Sequence, residues 1–329
     1  MTTDATQLVP RPPAVRVAQT FDALADNIER VVKGKRPAIE LALVCLLAEG
    51  HLLIEDVPGT GKTTLARCLA SSLQASWHRV QFTPDLLPSD ITGVQVYRQS
   101  TERFEFRPGP VFANIVLGDE INRASPKTQS AMLEVMEERR VTADGTPYAV
   151  PRPFMVIATQ NPVDMGGTYP LPEAQLDRFL MRIAIGYPDH DAEREVLSGA
   201  ADELQAEDLP QVATLETVAA MIAESRRVYA APPLYDYVIH IVAATRQSKQ
   251  VRLGASPRGS VALLRAARGR AAAAGRAYAI PDDVKALAVP VLAHRLILTP
   301  ETELAGRTGA DIVADILRTV PAPRSAAEL

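Results

Sequence analysis

Short apolar runs alternate with longer stretches of helical periodicity along the first half of the chain. Each run has the length of a buried strand, and the stretches around the runs place their apolar residues on one helical face. The predicted strands are Leu52–Ile54, Trp77–Phe82, Ile115–Leu117, Phe154–Ala158 and Met181–Ile185. The predicted helices are Phe21–Val32, Pro37–Ala48, Thr64–Leu73 and Ser125–Arg139. This alternation predicts an α/β fold with a parallel β-sheet flanked by helices.

The pattern changes at Tyr187-Pro188-Asp189, after which helical faces replace the strands. These faces are Ala192–Leu197, Leu215–Val228, Leu234–Arg246, Pro257–Ala274 and Asp282–Leu292. We therefore predict an α/β domain over residues 21–188 and a smaller all-α domain over residues 189–329. Residues 1–20 are rich in proline and lack a period, which predicts a flexible tail.

Two predicted hairpins interrupt the alternation. Val94–Tyr97 and Phe104–Phe106 alternate like strands inside an inserted segment of about residues 84–107, and Arg140–Tyr148 turns at an Asp-Gly pair. The prolines of Thr83–Asp90 predict irregular structure there. An inserted hairpin is a candidate surface for contacting a partner, although an ornamental surface hairpin has the same pattern.

The first chemical signal lies between the first strand and the helix that follows it. Gly59, Gly61, Lys62 and Thr63 fit a strand–loop–helix pattern in which backbone N–H groups cradle phosphates. Lys62 is predicted to reach the β- and γ-phosphate oxygens, and the Thr63 hydroxyl is predicted to bind Mg²⁺. The full pattern has glycine where this chain has Asp56, and a turn that contains Gly and Lys by chance is the alternative.

Acidic and amide side chains follow two later strands. Asp119 and Glu120 come after the run Ile115–Leu117, and Asn161 comes after Phe154–Ala158. Ligands of a parallel sheet lie beyond the carboxyl ends of its strands, so these side chains are predicted to meet the phosphate loop. We predict Asp119 near Mg²⁺, Glu120 near an attacking water and Asn161 as an amide that orients this water. The alternatives are a pair of carboxylates that caps the next helix and an Asn-Pro turn.

Two further residues are candidates for the nucleotide site. Ser256 and Pro257 predict the start of a helix, and Arg258 in its first turn opposes the helix dipole, which favours an anion as its ligand. A solvated arginine is the alternative. Val32 ends a predicted helix and is predicted to line an apolar slot for the base, with packing of this helix end on the sheet as the alternative.

Composition narrows the class of protein. The 329 residues are 47% hydrophobic with a formal net charge of −4, so the chain can bury a large core and carries no basic field for nucleic acid. The apolar run Leu41–Ala48 is too short to span a bilayer, and prolines replace an apolar segment near the start. We therefore expect neither a membrane span nor a signal peptide. Cys45 and Cys68 are expected to be core thiols in a reducing cytoplasm.

Several of these stretches occur together in one order. They are the phosphate loop, Leu117–Ala124, Ala158–Pro162, Leu176–Phe179 and Gly254–Arg258. In this combination the chain resembles the AAA+ ATPases. The stretches that resemble the MoxR family in particular are Ser125–Gln129, Met136–Arg139 and Leu171–Phe179. The similarity extends from about Phe21 to Pro321 and implies an AAA+ P-loop domain followed by an all-α lid domain.

The resemblance also implies roles for individual residues, with ATP and Mg²⁺ as cofactors. The matched Walker A residues are Gly59, Thr60, Gly61, Lys62, Thr63 and Thr64. The other matched residues are Asp119 and Glu120 of Walker B, Asn161 of sensor 1 and Arg258 of sensor 2. Arg178 matches the arginine finger that serves a neighbouring subunit's nucleotide, with Arg123 as the alternative. Gly118 stands where a bulkier residue is common.

The function implied by the resemblance is that of a cytoplasmic, Mg²⁺-dependent ATPase that forms a homo-oligomeric ring, a hexamer. Such proteins remodel or mature protein partners, often proteins with von Willebrand factor A domains. One alternative is an AAA+ motor that remodels nucleic acid, which the acidic balance opposes. Another is a nucleotide-binding scaffold with little turnover, which Glu120 and Asn161 oppose. A GTP-dependent switch is not expected, because Asn161–Asp164 lacks the Asn-Lys-x-Asp pattern for guanine.

Overall fold

A five-stranded parallel sheet forms the centre of the α/β domain. The computed structural model describes residues 17–57, 59–161, 169–187, 190, 194 and 204–323. Its strands are β1 (Leu52–Glu55), β2 (Trp77–Gln81), β3 (Gly93–Arg98), β4 (Arg103–Pro108), β5 (Ile115–Asp119), β6 (Arg140–Ala143), β7 (Thr146–Ala149), β8 (Met155–Gln160), β9 (Met181–Ile183), β10 (Val251–Leu253) and β11 (Ile297–Leu298). The central sheet has the order β2-β5-β8-β1-β9 and confirms the predicted parallel arrangement. The carboxyl ends of these strands therefore share one edge.

Helices cover both faces of this sheet, because side chains along each strand alternate between the faces. Leu52 and Ile54 of β1 belong to one apolar cluster, whereas Leu53 belongs to another. The helices of this domain are α1 (Val17–Glu29), α2 (Arg36–Leu47), α3 (Lys62–Ser72), α4 (Pro88–Thr92), α5 (Pro126–Glu138) and α6 (Glu173–Leu176). The first three pack in the cluster of Leu52, and α5 packs in the cluster of Leu53. The near-continuous apolar strands reflect this burial on both faces.

The helices on either side of β1 include two, α1 and α3, whose early starts change the prediction for the tail and for the phosphate loop. α1 begins at Val17, so the end of the predicted tail is helical, whereas residues 1–16 lie outside the described part of the chain. α3 begins at Lys62 and not at Thr64, because Gly61 already serves as the N-cap in a left-handed conformation. Lys62 thus becomes the first helical residue, at the end where backbone N–H groups lack intrahelical partners.

The prediction of irregular structure over Thr83–Asp90 is wrong at its end. Pro88 starts the short helix α4, because a proline at the first helical position removes no hydrogen bond. The backbone N–H of Leu87 donates to the Asp90 carboxylate at 2.9 Å and closes this turn. The proline therefore marks the start of a helix and does not break one.

The two predicted hairpins are present as β3–β4 and β6–β7, both antiparallel. Phe106 of β4 stacks on Tyr148 of β7 with ring centroids 4.1 Å apart, so the hairpins contact each other. Tyr97 and Phe104 form a second aromatic pair closer to the turn, and Phe104 is 68% exposed. The inserted hairpin therefore has one end packed on its neighbour and one end in solvent.

Helices dominate the second domain, as predicted. They are α7 (Leu215–Arg227), α8 (Pro232–Gln247), α9 (Pro257–Ala273), α10 (Pro281–Leu292), α11 (Pro300–Leu304) and α12 (Gly309–Thr319). The periodicity does not predict α11 and α12, and β10–β11 adds a small antiparallel sheet. The predicted helix Ala192–Leu197, apart from Arg194, and the boundary residues 188–189 lie outside the described residues. No helix in the described ranges is long and apolar enough to cross a membrane.

The two domains share one apolar core, in which α9 packs closely against α2. A Cβ added to Gly269 of α9 would lie 3.3 Å from the carbonyl oxygen of Val44 in α2. Glu49, which follows α2, forms an ion pair with Arg226 of α7 in the second domain and another at 3.0 Å with Arg139 in its own domain. Apolar and charged contacts thus join the domains.

Candidate active site

Two glycines shape the phosphate loop between β1 and α3. Gly59 and Gly61 have φ angles of 84° and 87°, a left-handed conformation that glycine adopts without strain. Lys62 Nζ donates to the carbonyl oxygens of Asp56 at 2.7 Å and Val57 at 2.8 Å. Burial lowers the pKa of Lys62, and nearby carboxylates oppose this shift. The lysine therefore lies across the loop on acceptors that phosphate oxygens can replace.

Asp56 stands where the phosphate-loop pattern has its first glycine, and it anchors the loop. Its carboxylate accepts hydrogen bonds from the backbone N–H groups of Val57 at 2.8 Å, Ile185 at 2.9 Å and Gly186 at 2.6 Å. Asp56 is 8% exposed, so these bonds form away from bulk water. The departure from the pattern thus has a structural reason, because it ties the loop to the segment after β9.

Asp119, at the end of β5, is held from both neighbouring strands. Its Oδ1 accepts a hydrogen bond from the Thr159 hydroxyl of β8 at 2.5 Å. Its Oδ2 accepts from Nε of Arg79 on β2 at 3.1 Å and from Nη2 of the same side chain at 2.6 Å. The preceding Gly118 leaves room for Phe82, since a Cβ at this position would lie 3.1 Å from the ring. The unusual glycine therefore permits close packing beside the acid.

Glu120 follows β5 in a left-handed conformation, with φ 56° and ψ 51°. Such a conformation costs a non-glycine residue on the order of 1–3 kcal/mol and concentrates at functional sites. The Glu120 backbone N–H donates to Thr159 Oγ1 at 2.9 Å. Its Oε2 accepts hydrogen bonds from Gln81 Nε2 and Arg123 Nη1, both at 3.1 Å. Backbone and side-chain contacts together fix this carboxylate.

A cavity of about 400 Å³ lies between the phosphate loop and the strand ends. We call it the phosphate cavity. Its lining residues are Gly59, Gly61, Lys62, Thr63, Thr64, Arg79, Asp119, Glu120, Thr159 and Asn161. Most residues predicted to bind phosphates, metal and water are therefore brought together.

Three predicted nucleotide-binding residues, Thr60, Val32 and Arg258, are not among those that line this cavity in the described structure. Thr60 is buried, and its hydroxyl donates to the Val57 carbonyl oxygen at 3.3 Å. Val32 lies just beyond the end of α1 and is buried in the apolar cluster of α1 and α2, and its contact with a base stays a prediction.

Thr63 and Asp119, the two residues predicted to bind Mg²⁺, both line the phosphate cavity and carry side-chain oxygen atoms that suit this ion. This ion prefers hard oxygen ligands, keeps several waters and commonly takes one or two protein ligands beside substrate phosphates. A hydroxyl and a carboxylate at one cavity therefore fit it. Among the described residues, no group of three or more His, Cys, Asp or Glu side chains could hold a metal ion.

Arg178 and Arg258 lie together on Glu137 of α5. Arg178 Nη2 is 3.1 Å from Glu137 Oε2, and Arg258 Nη2 is 3.1 Å from Glu137 Oε1. Arg258 is not among the described residues that line the phosphate cavity, so this structure does not bring it to the site of its own subunit. Arg123, the alternative finger, pairs with Glu120 of its own subunit at 3.1 Å. Ser256 caps α9 as predicted, since it accepts from the Arg258 N–H at 3.2 Å.

Arg79 and Glu137 are two residues near the candidate site that sequence analysis does not single out. Strand alternation carries a signal for Arg79, because it lies on the face of β2 opposite to buried Val80, and β2 pairs with β5. No pattern in the sequence indicates that Glu137 contacts Arg178 and Arg258. Its partner Arg258 is 121 residues away along the chain and belongs to the other domain.

Comparisons with known proteins agree with this geometry. The model of the ATPase family associated with various cellular activities (AAA) matches residues 51–181, and the AAA lid domain model matches residues 243–316. Chaperone MoxR1 of Mycobacterium tuberculosis is 42% identical over 316 residues, with 93% of this chain and 83% of that protein covered. Protein MoxR of Methylorubrum extorquens is 34% identical over 325 residues, with coverage of 90% and 93%. The chain belongs to the MoxR family of AAA+ ATPases.

Two further similarities extend over most of the chain. The uncharacterized protein YeaC of Bacillus subtilis is 50% identical over 298 residues, with coverage of 91% of this chain and 93% of that protein. A crystal structure of a candidate ATPase from Cytophaga hutchinsonii has a TM-score of 0.88 at 38% identity, with coverage of 94% and 97%. Membership of the MoxR family confirms the predicted AAA+ fold and lid domain, and it identifies the protein as an ATPase.

Proposed function

We propose that this MoxR-family protein is a cytoplasmic, Mg²⁺-dependent ATPase that works as a homo-oligomeric ring, a hexamer. It uses ATP to remodel or mature protein partners, among them proteins with von Willebrand factor A domains. A relative named as a chaperone supports protein partners, and the net charge of −4 does not favour nucleic acid.

The observation that carries this proposal is the division of the catalytic groups. The phosphate loop and both Walker B acids line one cavity, whereas Arg178 and Arg258 lie together elsewhere on the same subunit. An ATP site that draws on all these groups needs two subunits.

Within one subunit, the phosphate cavity binds the nucleotide and activates the water. Lys62 gives up its two carbonyl acceptors and binds the β- and γ-phosphate oxygens. Thr63 and Asp119 hold Mg²⁺, whose charge offsets that of the phosphates. Glu120 polarises the attacking water, and Asn161 orients it.

The neighbouring subunit supplies the cations that stabilise the transition state. Arg178 and Arg258 suit this role, because their side chains are 29% and 63% exposed and share one place on the surface. In other nucleotide hydrolases an arginine supplied in trans raises the rate roughly 10³–10⁵-fold. The rate per subunit is therefore expected to rise with protein concentration.

Mixing two inactive variants tests the shared site. Arg178→Ala removes the donated cation and Glu120→Gln removes the group that polarises water, so each alone is expected to lose at least about 10³-fold in turnover. In randomly mixed rings, about a quarter of the interfaces join an intact Glu120 pocket to an intact Arg178, so activity returns in part. Rings that contain both variants by native mass spectrometry and stay inactive would exclude the shared site.

A pull-down with the Glu120→Gln variant and ATP tests the class of partner. The variant retains ATP and is expected to enrich proteins with von Willebrand factor A domains over the Lys62→Ala variant. The affinity for nucleic acid is measured in parallel by filter binding at low salt, where such affinity is greatest. Tight binding of nucleic acid there, without enriched proteins, would favour a nucleic-acid motor.

A further inference from the structure

Glu137 connects two arginines that come from different domains. Arg178 follows α6 in the α/β domain, whereas Arg258 lies in the first turn of α9 in the lid. Each arginine lies 3.1 Å from a different oxygen of the same carboxylate. The guanidinium groups are therefore held side by side, although their backbones belong to separate parts of the chain.

The local surroundings of the two arginines do not explain these positions. Arg258 lies at the positive end of the α9 dipole, where a cation is disfavoured. Arg178 has a buried Nε without a hydrogen-bond partner among the described residues, which carries a free-energy cost. Two cations held close together also repel each other. The negative charge of Glu137 offsets these three unfavourable contributions to the free energy.

A second carboxylate aligns the same two segments. Asp177, the residue before Arg178, accepts hydrogen bonds from Arg295 Nε at 2.7 Å and from the hydroxyl of Ser256 at 3.1 Å. Arg295 is 3% exposed, so this contact is a buried part of the joint between the domains. Asp177 fixes the backbones at this joint, which leaves Glu137 to place the tips of the arginine side chains.

The contacts of Glu137 are open to exchange. Glu137 is 40% exposed, and with Arg178 it lines cavities of about 470 Å³ on two sides. Ion pairs that are this exposed contribute little free energy, whereas arginine–phosphate pairs are charge-assisted and frequently bidentate. A phosphate that reaches this surface therefore replaces Glu137 as the acceptor.

We propose that Glu137 is a positioning residue that holds Arg178 and Arg258 as one unit until the phosphates of a neighbouring subunit take both. The inference rests on the proposed function, because it requires both arginines to act on a neighbour's nucleotide. Without Glu137 the two guanidinium groups separate, and a neighbour's phosphates meet them one at a time and out of place. A misplacement of about 1 Å at a catalytic group can cost about 10²-fold in rate.

Substitutions of Glu137 and of its neighbour Glu138 distinguish a specific role in positioning the arginines from a general effect of lost negative charge. Glu138 lines one of the same cavities but pairs with Arg140 at 3.1 Å, so Glu138→Gln is a matched control. Glu137→Ala is expected to lower turnover about 10- to 100-fold, from the cost of misplaced groups. Its affinity for a fluorescent ATP analogue should stay within about twofold, because its own phosphate cavity is intact. Glu137→Gln keeps the size of the side chain but removes its charge, and its turnover is also expected to be lower than that of the unchanged protein.

Mixing with Glu120→Gln shows where the defect lies. Glu137→Ala subunits keep an intact pocket, so they are expected to regain activity when Glu120→Gln neighbours supply correctly placed arginines. The Arg178→Ala and Glu120→Gln mixture is run in parallel. Normal turnover of the Glu137→Ala variant on its own would overturn the positioning role. The same conclusion would follow if mixing with Glu120→Gln restored the activity of Arg178→Ala but not that of Glu137→Ala. Failure of both mixtures would remove the shared site itself, and this inference with it.

Discussion

Replacement of Asp56 by alanine tests how the phosphate loop is held. The change removes the acceptor of three backbone N–H groups. Val57 and Gly186 are half-buried and can bind water afterwards, whereas Ile185 is 7% exposed and its N–H cannot. A buried N–H without an acceptor costs about 1–3 kcal/mol, and a lost ordinary hydrogen bond costs about 0.5–1.5 kcal/mol. The free energy of unfolding is therefore expected to fall by about 2–6 kcal/mol.

Thermal unfolding without nucleotide, followed by circular dichroism, measures this loss. The entropy of unfolding is about 2.1 cal/mol/K per residue, so for roughly 300 residues that melt together 1 kcal/mol shifts the midpoint by about 1.6 °C, and a fall of at least about 3 °C is expected. Glu55→Gln is the control, because its ion pair with Arg182 at 2.8 Å is partly exposed and contributes about 0.2–1 kcal/mol. If Asp56→Ala and Glu55→Gln unfold at the same temperature, the carboxylate of Asp56 does not anchor the loop.

Four further changes test other parts of the molecule. Lys62→Ala removes the cation of the loop and is expected to abolish ATP binding in calorimetry; unchanged affinity would contradict the phosphate site. Glu120→Gln is expected to bind ATP without hydrolysing it, because an amide cannot polarise water, and normal phosphate release would rule out its catalytic role. Replacement of Val94–Phe106 by a Gly-Ser turn is expected to preserve basal ATPase activity, since the described lining of the phosphate cavity includes none of these residues; a folded but inactive variant would refute this. Burial lowers the pKa of His51 to about 4, so between about pH 6.5 and 4 the unfolded chain binds a proton that the folded chain excludes. Stability then falls with decreasing pH by at most about 1.4 kcal/mol per pH unit, and urea midpoints of His51→Gln should show a smaller slope; an unchanged slope would contradict the assignment.

The parts of the site that are local in sequence could be predicted. Gly59, Gly61 and Lys62 are nearly consecutive, and a strand–loop–helix unit brings their backbone groups together without help from other segments. Asp119 and Asn161 are far apart, but each follows an apolar strand, and parallel strands deliver their carboxyl ends to one edge. Periodicity alone therefore locates these residues.

Contacts between distant side chains could not be predicted in this way. Asp56 binds the N–H of Ile185, 129 residues away, and this partner depends on the position of β9 beside β1. Periodicity also assigns Arg258 to a helix start without indicating which surface that start faces. The helix at Pro88 is hard to predict for a different reason, because a proline either breaks a helix or occupies its first turn, and the sequence around Pro88 does not distinguish the two.

The close packing of α2 against α9 determines how the protein loses its structure. The lid and the α/β domain bury side chains in one apolar cluster, and Gly269 packs so closely that an added Cβ would lie 3.3 Å from the Val44 carbonyl oxygen. Melting of the lid would uncover the apolar face of α2, and loss of α2 would uncover α9. Neither domain can therefore keep its stability after the other has melted, and we expect one cooperative transition. The change of pattern near Tyr187 separates two architectures in the sequence but does not separate two independent units of stability.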